Sequence, residues 1–173
     1  MGVELRLVRN FNKYITESTV KILIKKPSDC TPKEKETFIS LVVSGDQNAP
    51  ARVKNSFNHL IWVGLLYEGD EIKAVSSLKE GNFEPFEMAG VENEIDNYPY
   101  EVGFSFTDPS SRGKGYNGQL KKKLFDKVNN KGIYATVRVN NKESLAVNKK
   151  LGFKPLGQPY EGLVTDVQLM VLN

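Results

Sequence analysis

The chain holds little that could ligate a metal through nitrogen or sulfur. It has one cysteine, Cys30, and one histidine, His59. A tetrahedral site needs several such ligands, so no metal site is expected. A lone cysteine also excludes an internal disulfide, which suits a reducing compartment. No apolar run approaches the ~20 residues that a membrane-crossing helix requires. The opening residues, Met1-Gly2-Val3-Glu4-Leu5-Arg6, lack the apolar core of a signal peptide. Arg6 stands where a myristoylation signal wants Ser or Thr. These absences lead to the expectation of a cytoplasmic protein without membrane association. Positive charge is missing from one long stretch. From Glu80 through Ser111 there is no lysine or arginine, while Glu80, Glu84, Glu87, Glu92, Glu94, Asp96, Glu101 and Asp108 all fall there.

What is present reads as one globular domain spanning 1–173. The 173 residues are 39% hydrophobic and 26% charged, enough apolar material for a single core. The net charge of +3 hides an asymmetry, because the balance is strongly basic from Arg112 to Lys154. Val3 to Val8 alternates as a first strand. Val20-Lys21-Ile22-Leu23-Ile24 fits helix or strand, and its place in the order of elements favours helix. Thr31-Pro32-Lys33-Glu34 carries a capping box with proline at the first helical position. Leu60–Tyr67 and Ile72–Leu78 flank Glu68-Gly69-Asp70-Glu71 as a β-hairpin. Leu120, Leu124, Phe125 and Val128 share one helical face, with Lys121, Lys122 and Lys123 read as its solvated side. Ile133 to Val139 is a strand. Asn140 or Asn141 caps a helix that ends at Gly152, and Val164 to Leu172 is the last strand.

Residues 111–118, Ser-Arg-Gly-Lys-Gly-Tyr-Asn-Gly, join the strand-like run Val102–Phe106 to the helix that follows. Glycines between a strand and a helix N-terminus let backbone amides close on phosphate oxygens, and the helix dipole favours negative charge there. The chain has neither the dinucleotide G-x-G-x-x-G nor the P-loop pattern. It has Arg112-x-x-Gly115, then Asn141-x-x-Ser144 leading to Gly152-Phe153. In these two elements it resembles the GNAT superfamily of N-acetyltransferases, whose cofactor loop reads [Q/R]-x-x-G-x-[G/A]. Asn117 stands where Gly or Ala is usual, with Gly118 one place later.

The resemblance implies an α/β (α+β) fold: a mixed, mostly antiparallel central sheet flanked by helices. It implies acetyl-CoA as co-substrate, bound by Ser105, Phe106, Thr107, Arg112, Gly113, Lys114, Gly115, Tyr116, Asn117, Gly118, Asn141, Ser144 and Lys149. It implies an amine acceptor, a small molecule or a protein amine, attacking directly in a ternary complex. Glu101 matches the strand position of the general base in several members. An alkylamine is mostly ammonium near neutral pH and needs such a base. Many members carry a tyrosine as acid to the departing thiolate at the place held here by Asn148, which can hydrogen-bond the sulfur but not protonate it. Tyr116, Tyr134 and Tyr160 are further candidates for that proton.

Strand alternation sets Val102, Phe104 and Phe106 in the core and Glu101, Gly103, Ser105 and Thr107 on a polar face forming the floor of the site. The acidic connection at about 80–99 is read as an insert walling an acceptor site for a cationic amine, or else as a solvated loop. Two other functions compete: a catalytically silent acyl-CoA or macromolecule binder, suggested by Asn117 and Asn148, and an enzyme whose acceptor is nucleic acid. An exposed strand edge near the C-terminus could pair two copies as a homodimer.

Overall fold

The computed structural model describes residues 19–45 and 48–173, so the strand expected over Val3–Val8 lies outside the described residues. The segment expected to be helical is a strand. β1 (Val20–Lys25) pairs antiparallel with β2 (Trp62–Glu68). A short run rich in β-branched residues does not declare its period, and pairing decides it. Ile22 and Ile24 of β1 pack against Leu66 and Leu120.

The capping box forms in full. Helix α1 (Pro32–Ser44) begins with the Glu34 amide donating to Thr31 Oγ1 at 3.2 Å and the Thr31 amide donating to Glu34 Oε2 at 2.8 Å. The same carboxylate receives Lys25 Nζ at 2.8 Å and the Tyr67 hydroxyl at 2.9 Å. Burial disfavours its charge, but these donors together outweigh burial and hold the Glu34 carboxyl below its ordinary range. One side chain thus ties α1 to both β1 and β2.

Helix α2 (Pro50–Ser56) follows, and the predicted hairpin is β2 with β3 (Glu71–Glu80). Beyond it come α3 (Glu84–Met88), β4 (Tyr100–Thr107), α4 (Tyr116–Phe125), β5 (Ile133–Arg138), α5 (Lys142–Lys150), β6 (Lys154–Pro155) and β7 (Val167–Leu172). The last strand starts three residues later than alternation suggested. The sheet order is β1-β2-β3-β4-β5-β7-β6, antiparallel except between β4 and β5. One face is covered by α4 and α5, around Leu78, Val102, Leu124, Phe125 and Phe153. The other carries α1 and α2 around Phe38, Val42 and Phe57.

The acidic connection is a packed structure. Phe86, Ala89 and Tyr98 are buried against Tyr134, Leu169 and Val171, on the sheet face opposite α4. Phe86 meets the Tyr134 ring edge-on at 4.9 Å.

Candidate active site

The site is organised by what β4 does at each end. At its start it pairs in parallel with β5, Tyr100 opposite Ile133 and Glu101 opposite Tyr134. Beyond those two positions the strands part. At its far end β4 carries a bulge against β3. Ser77 faces Gly103 and Val75 faces Phe106, so Phe104 and Ser105 together stand opposite Ser76. Phe104 takes a φ of 48°, a left-handed conformation costly for a bulky residue.

The bulge corrects the expected alternation. Val102 lies on the α4 face, but Phe104 and Phe106 pack on the α1 face with Phe38 and Val42. Ser105 turns to the face of Val102, its Oγ 2.8 Å from that of Ser76. Thr107, opposite Ala74, follows it. The four residues read as one polar floor are therefore divided, with Glu101 and Gly103 on one side of the sheet and Ser105 and Thr107 on the other.

Glu101 is buried, and its Oε2 pairs with Lys79 Nζ at 3.0 Å from the neighbouring strand. The Tyr134 hydroxyl lies 3.3 Å from the same oxygen and accepts the Asn82 amide at 2.9 Å. Burial, and then the Glu101 charge, push the Tyr134 hydroxyl well above its ordinary range. Tyr160 is pushed up to about 12, by burial first and then by Glu101 and Glu84. Of the tyrosines considered as thiolate acids, Tyr134 contacts Glu101 and Tyr160 packs in the same cluster as Tyr134. Gly103 has space beside it: an added Cβ would come no closer than 3.4 Å, to Lys79 Cε. Lys79 lies in that space, its ammonium 5.3 Å from the centre of the Phe104 ring. Lys79 was not assigned to the site from the sequence, and Tyr134 was considered only as a proton source for the thiolate, not as a partner of Glu101. Only the β3–β4 and β4–β5 registers reveal them.

The glycine turn forms as expected. Gly113 and Gly115 have φ of 80° and 73°, and Gly115 caps α4 with no side-chain hydrogen bond. The Gln119 amide donates to the Gly115 carbonyl. The amides of Gly115, Tyr116, Asn117 and Gly118 are thus the donors that every helix start leaves unmet. Among the described residues nothing stands within 4 Å of an added Cβ at Gly118. Arg112 is exposed, its Nε 3.5 Å from the Thr107 carbonyl. Lys114 is committed elsewhere: it ion-pairs with Glu68, which also accepts from Ser111 Oγ at 3.0 Å. Tyr116 is buried with Leu66, Ala74 and Leu120.

Asn141 and Ser144 form the cap of α5, the Ser144 amide donating to Asn141 Oδ1 at 3.0 Å. Lys149 is exposed. Asn148 is buried and accepts from Lys121 Nζ at 2.9 Å across the gap between α4 and α5, while its own Nδ2 has no partner among the described residues. Lys121 is 3% exposed, contrary to its reading as part of a solvated face. Burial pushes its ammonium down to about 8. Among the described residues no cluster of three or more His, Cys, Asp and Glu side chains could hold a metal, and no helix is long and apolar enough to cross a membrane.

The model of the acetyltransferase (GNAT) family matches residues 30–153. An uncharacterized protein of Mycobacterium leprae (strain TN) is 28% identical over 165 residues, 90% of this chain and 41% of its own length. The chain therefore spans about two fifths of that curated relative. Among solved structures, Escherichia coli ElaA matches with a TM-score of 0.66 at 14% identity, covering 88% of this chain and 99% of its own. The yncA protein of Salmonella typhimurium, solved with its cofactor acetyl-CoA, matches at 0.59 and 18% identity, covering 87% and 91%. An acyl-CoA N-acyltransferase of Pseudomonas aeruginosa matches at 0.61 and 13% identity, covering 88% and 98%. At such identities the likeness is one of fold.

Proposed function

Because the chain belongs to the acetyltransferase (GNAT) family, we propose that it moves an acetyl group from acetyl-CoA to a cationic primary amine, by direct attack in a ternary complex. The observation that carries this reading is the parting of β4 from β5 just past Glu101, with the uncapped start of α4 beyond it. A thioester lying in the parted edge can bond to strand backbone left without a partner, while its pyrophosphate meets the amides of Gly115 to Gly118 and the positive end of the helix dipole. Gly113, Arg112 and the first turn of α4 complete that cradle, and Ser105, Phe106 and Thr107 line the strand that leads to it. Asn141 and Ser144 fix the start of α5 on the far side.

Glu101 is the proposed proton acceptor. Lys79 already places an ammonium nitrogen 3.0 Å from its carboxylate, which is the contact a protonated amine substrate would make. Loss of the proton to Glu101 frees the nitrogen lone pair for attack on the thioester carbonyl. The acidic insert beside it supports the cationic preference, since Tyr134 links Asn82 of the insert to Glu101. A second reading, a silent acyl-CoA binder, is favoured by the same ion pair, because Lys79 occupies the carboxylate.

Calorimetric titration with acetyl-CoA and desulfo-coenzyme A, followed by an amine screen on wild type and Glu101→Gln, separates the two. Binding of both ligands, with turnover that falls about 100-fold or more in the variant, supports the enzyme. Binding without turnover on any amine supports the silent binder. No binding refutes both.

A further inference from the structure

We propose that Lys121 is a positioning residue for the leaving group: its ammonium, through Asn148, holds the thiolate that departs from acetyl-CoA. This rests on the function proposed above and adds a residue to it. Two observations meet here. The first is a lysine taken out of water with one hydrogen bond, Nζ to Asn148 Oδ1 at 2.9 Å, among the described residues. A buried ammonium is costly without compensation, and an amide carbonyl alone compensates poorly. The second is the other end of the same amide. Asn148 Nδ2 is buried and, among the described residues, unpartnered, a donor group of the kind that folded proteins rarely leave unmet. The pair bridges α4, whose start is the proposed phosphate cradle, and α5. These two helices lie on one face of the parted strands. An ammonium pulling on Oδ1 makes the Nδ2 protons better donors, and an anion accepting them would satisfy the orphan and neutralise the buried charge together.

The chemistry supplies such an anion. As the amine nitrogen bonds to the carbonyl carbon, the carbon–sulfur bond breaks and its electron pair stays on sulfur. The amine loses one proton to Glu101 before attack and one to solvent water afterwards. Sulfur leaves as thiolate; Asn148 donates a hydrogen bond to it from Nδ2 but does not transfer the proton, because an amide N–H is not an acid. A free thiol of this kind has a pKa near ~8.5, so the sulfur can leave as thiolate, and a nearby fixed cation makes that anion more favourable still.

Among the described residues the one other buried ionisable group on α4 is Tyr116, in its first turn beside Leu66, Ala74 and Leu120. The side chains packed against α4 from the strands include Ile22 and Ile24 of β1, Leu66 of β2, Ala74 and Leu78 of β3 and Val102 of β4, and from α5 Asn148 reaches Lys121. The charged residues on α4, the turn after it and α5, namely Lys122, Lys123, Asp126, Lys127, Lys142, Glu143, Lys149 and Lys150, are exposed. Burial is the single cause of the Lys121 shift.

The test titrates the thiol of free coenzyme A bound to wild type, Lys121→Met and Lys121→Gln, read by the ultraviolet absorbance of the thiolate. Desulfo-coenzyme A, which has no thiol, serves as the control for binding and folding. The Gln variant keeps a donor for Asn148 and removes the charge. The expected result is a bound thiol pKa at least about one unit lower in wild type than in both variants, with desulfo-coenzyme A bound equally by all three. Equal thiol pKa values in wild type and Lys121→Gln would overturn the proposal. If the Met variant loses the control ligand, the Gln variant decides alone. If the Gln variant loses it too, Lys121 serves to join the helices and the proposal fails. Failure of wild type to bind either ligand removes the cofactor reading, and this inference with it.

Discussion

Lys121 shows how one residue can escape a sequence reading. It begins a run of three lysines, and its neighbours Lys122 and Lys123 are exposed. The signal was present in the helical period: Lys121 stands three before Leu124 and four before Phe125, both buried, so it shares their face. Its burial has a consequence for stability that can be signed. The folded state holds the Lys121 pKa at about 8 against an ordinary 10.5. Below about 8 both states carry the proton, and the folded one bears the full cost of burying it. Between about 8 and 10.5 the unfolded chain keeps the proton and the folded chain does not, so stability rises with pH. Urea unfolding should therefore find wild type gaining about 2 kcal/mol on Lys121→Met between about pH 7 and about pH 10. A parallel pH dependence of the two proteins would show that the amine is solvated. Glu101 is the opposite case. Its place on the strand was legible from the family pattern, but its partners Lys79 and Tyr134 were not, because strand register is not written in local sequence.

Among the elements, those with local chemistry were legible. The capping box of α1, the Glu68–Glu71 hairpin and the glycine turn before α4 all depend on residues a few positions apart, and all three form as read. β1 was misread because a run of a few apolar residues suits either period until a partner strand fixes it. The bulge in β4 was invisible for a related reason. It is defined by Ser76 on another strand, and it moves Phe104 and Ser105 to faces that alternation alone would exchange. Element geometry also selects a clean test of the phosphate cradle. Gly118 is in the first turn of α4 with open space around it. Gly118→Glu gains helix propensity and places a negative charge at the favourable end of the helix. The variant should unfold at the same temperature or higher, yet bind acetyl-CoA at least about 100-fold more weakly, since its carboxylate stands where a phosphate would. Unchanged affinity by calorimetry would move the pyrophosphate away from α4.

At the scale of the molecule, the acidic insert is the feature that the sequence left undecided between a wall and a loop. Its apolar residues are packed: Phe86 is fully buried and stacks with Tyr98 at 5.9 Å. Residues 80–99 are part of the core of the C-terminal half, and removing them would expose Tyr134 and Leu169. Phe86→Ala should cost about 3–5 kcal/mol and should also lower turnover in the protein that remains folded, because the ring it removes packs on Tyr134 beside Glu101. A stability loss with normal turnover per folded molecule would separate the insert from the site.

Among the described residues β4 and β5 join the two parts of the sheet through the pairs Tyr100–Ile133 and Glu101–Tyr134. In its strand pairing the sheet is two antiparallel plates, β1 to β4 and β5 to β7, meeting at a short seam. A cofactor bound in the open end of that seam, as proposed, would be a rivet as well as a reactant, and each turnover would alternately stiffen and loosen the protein.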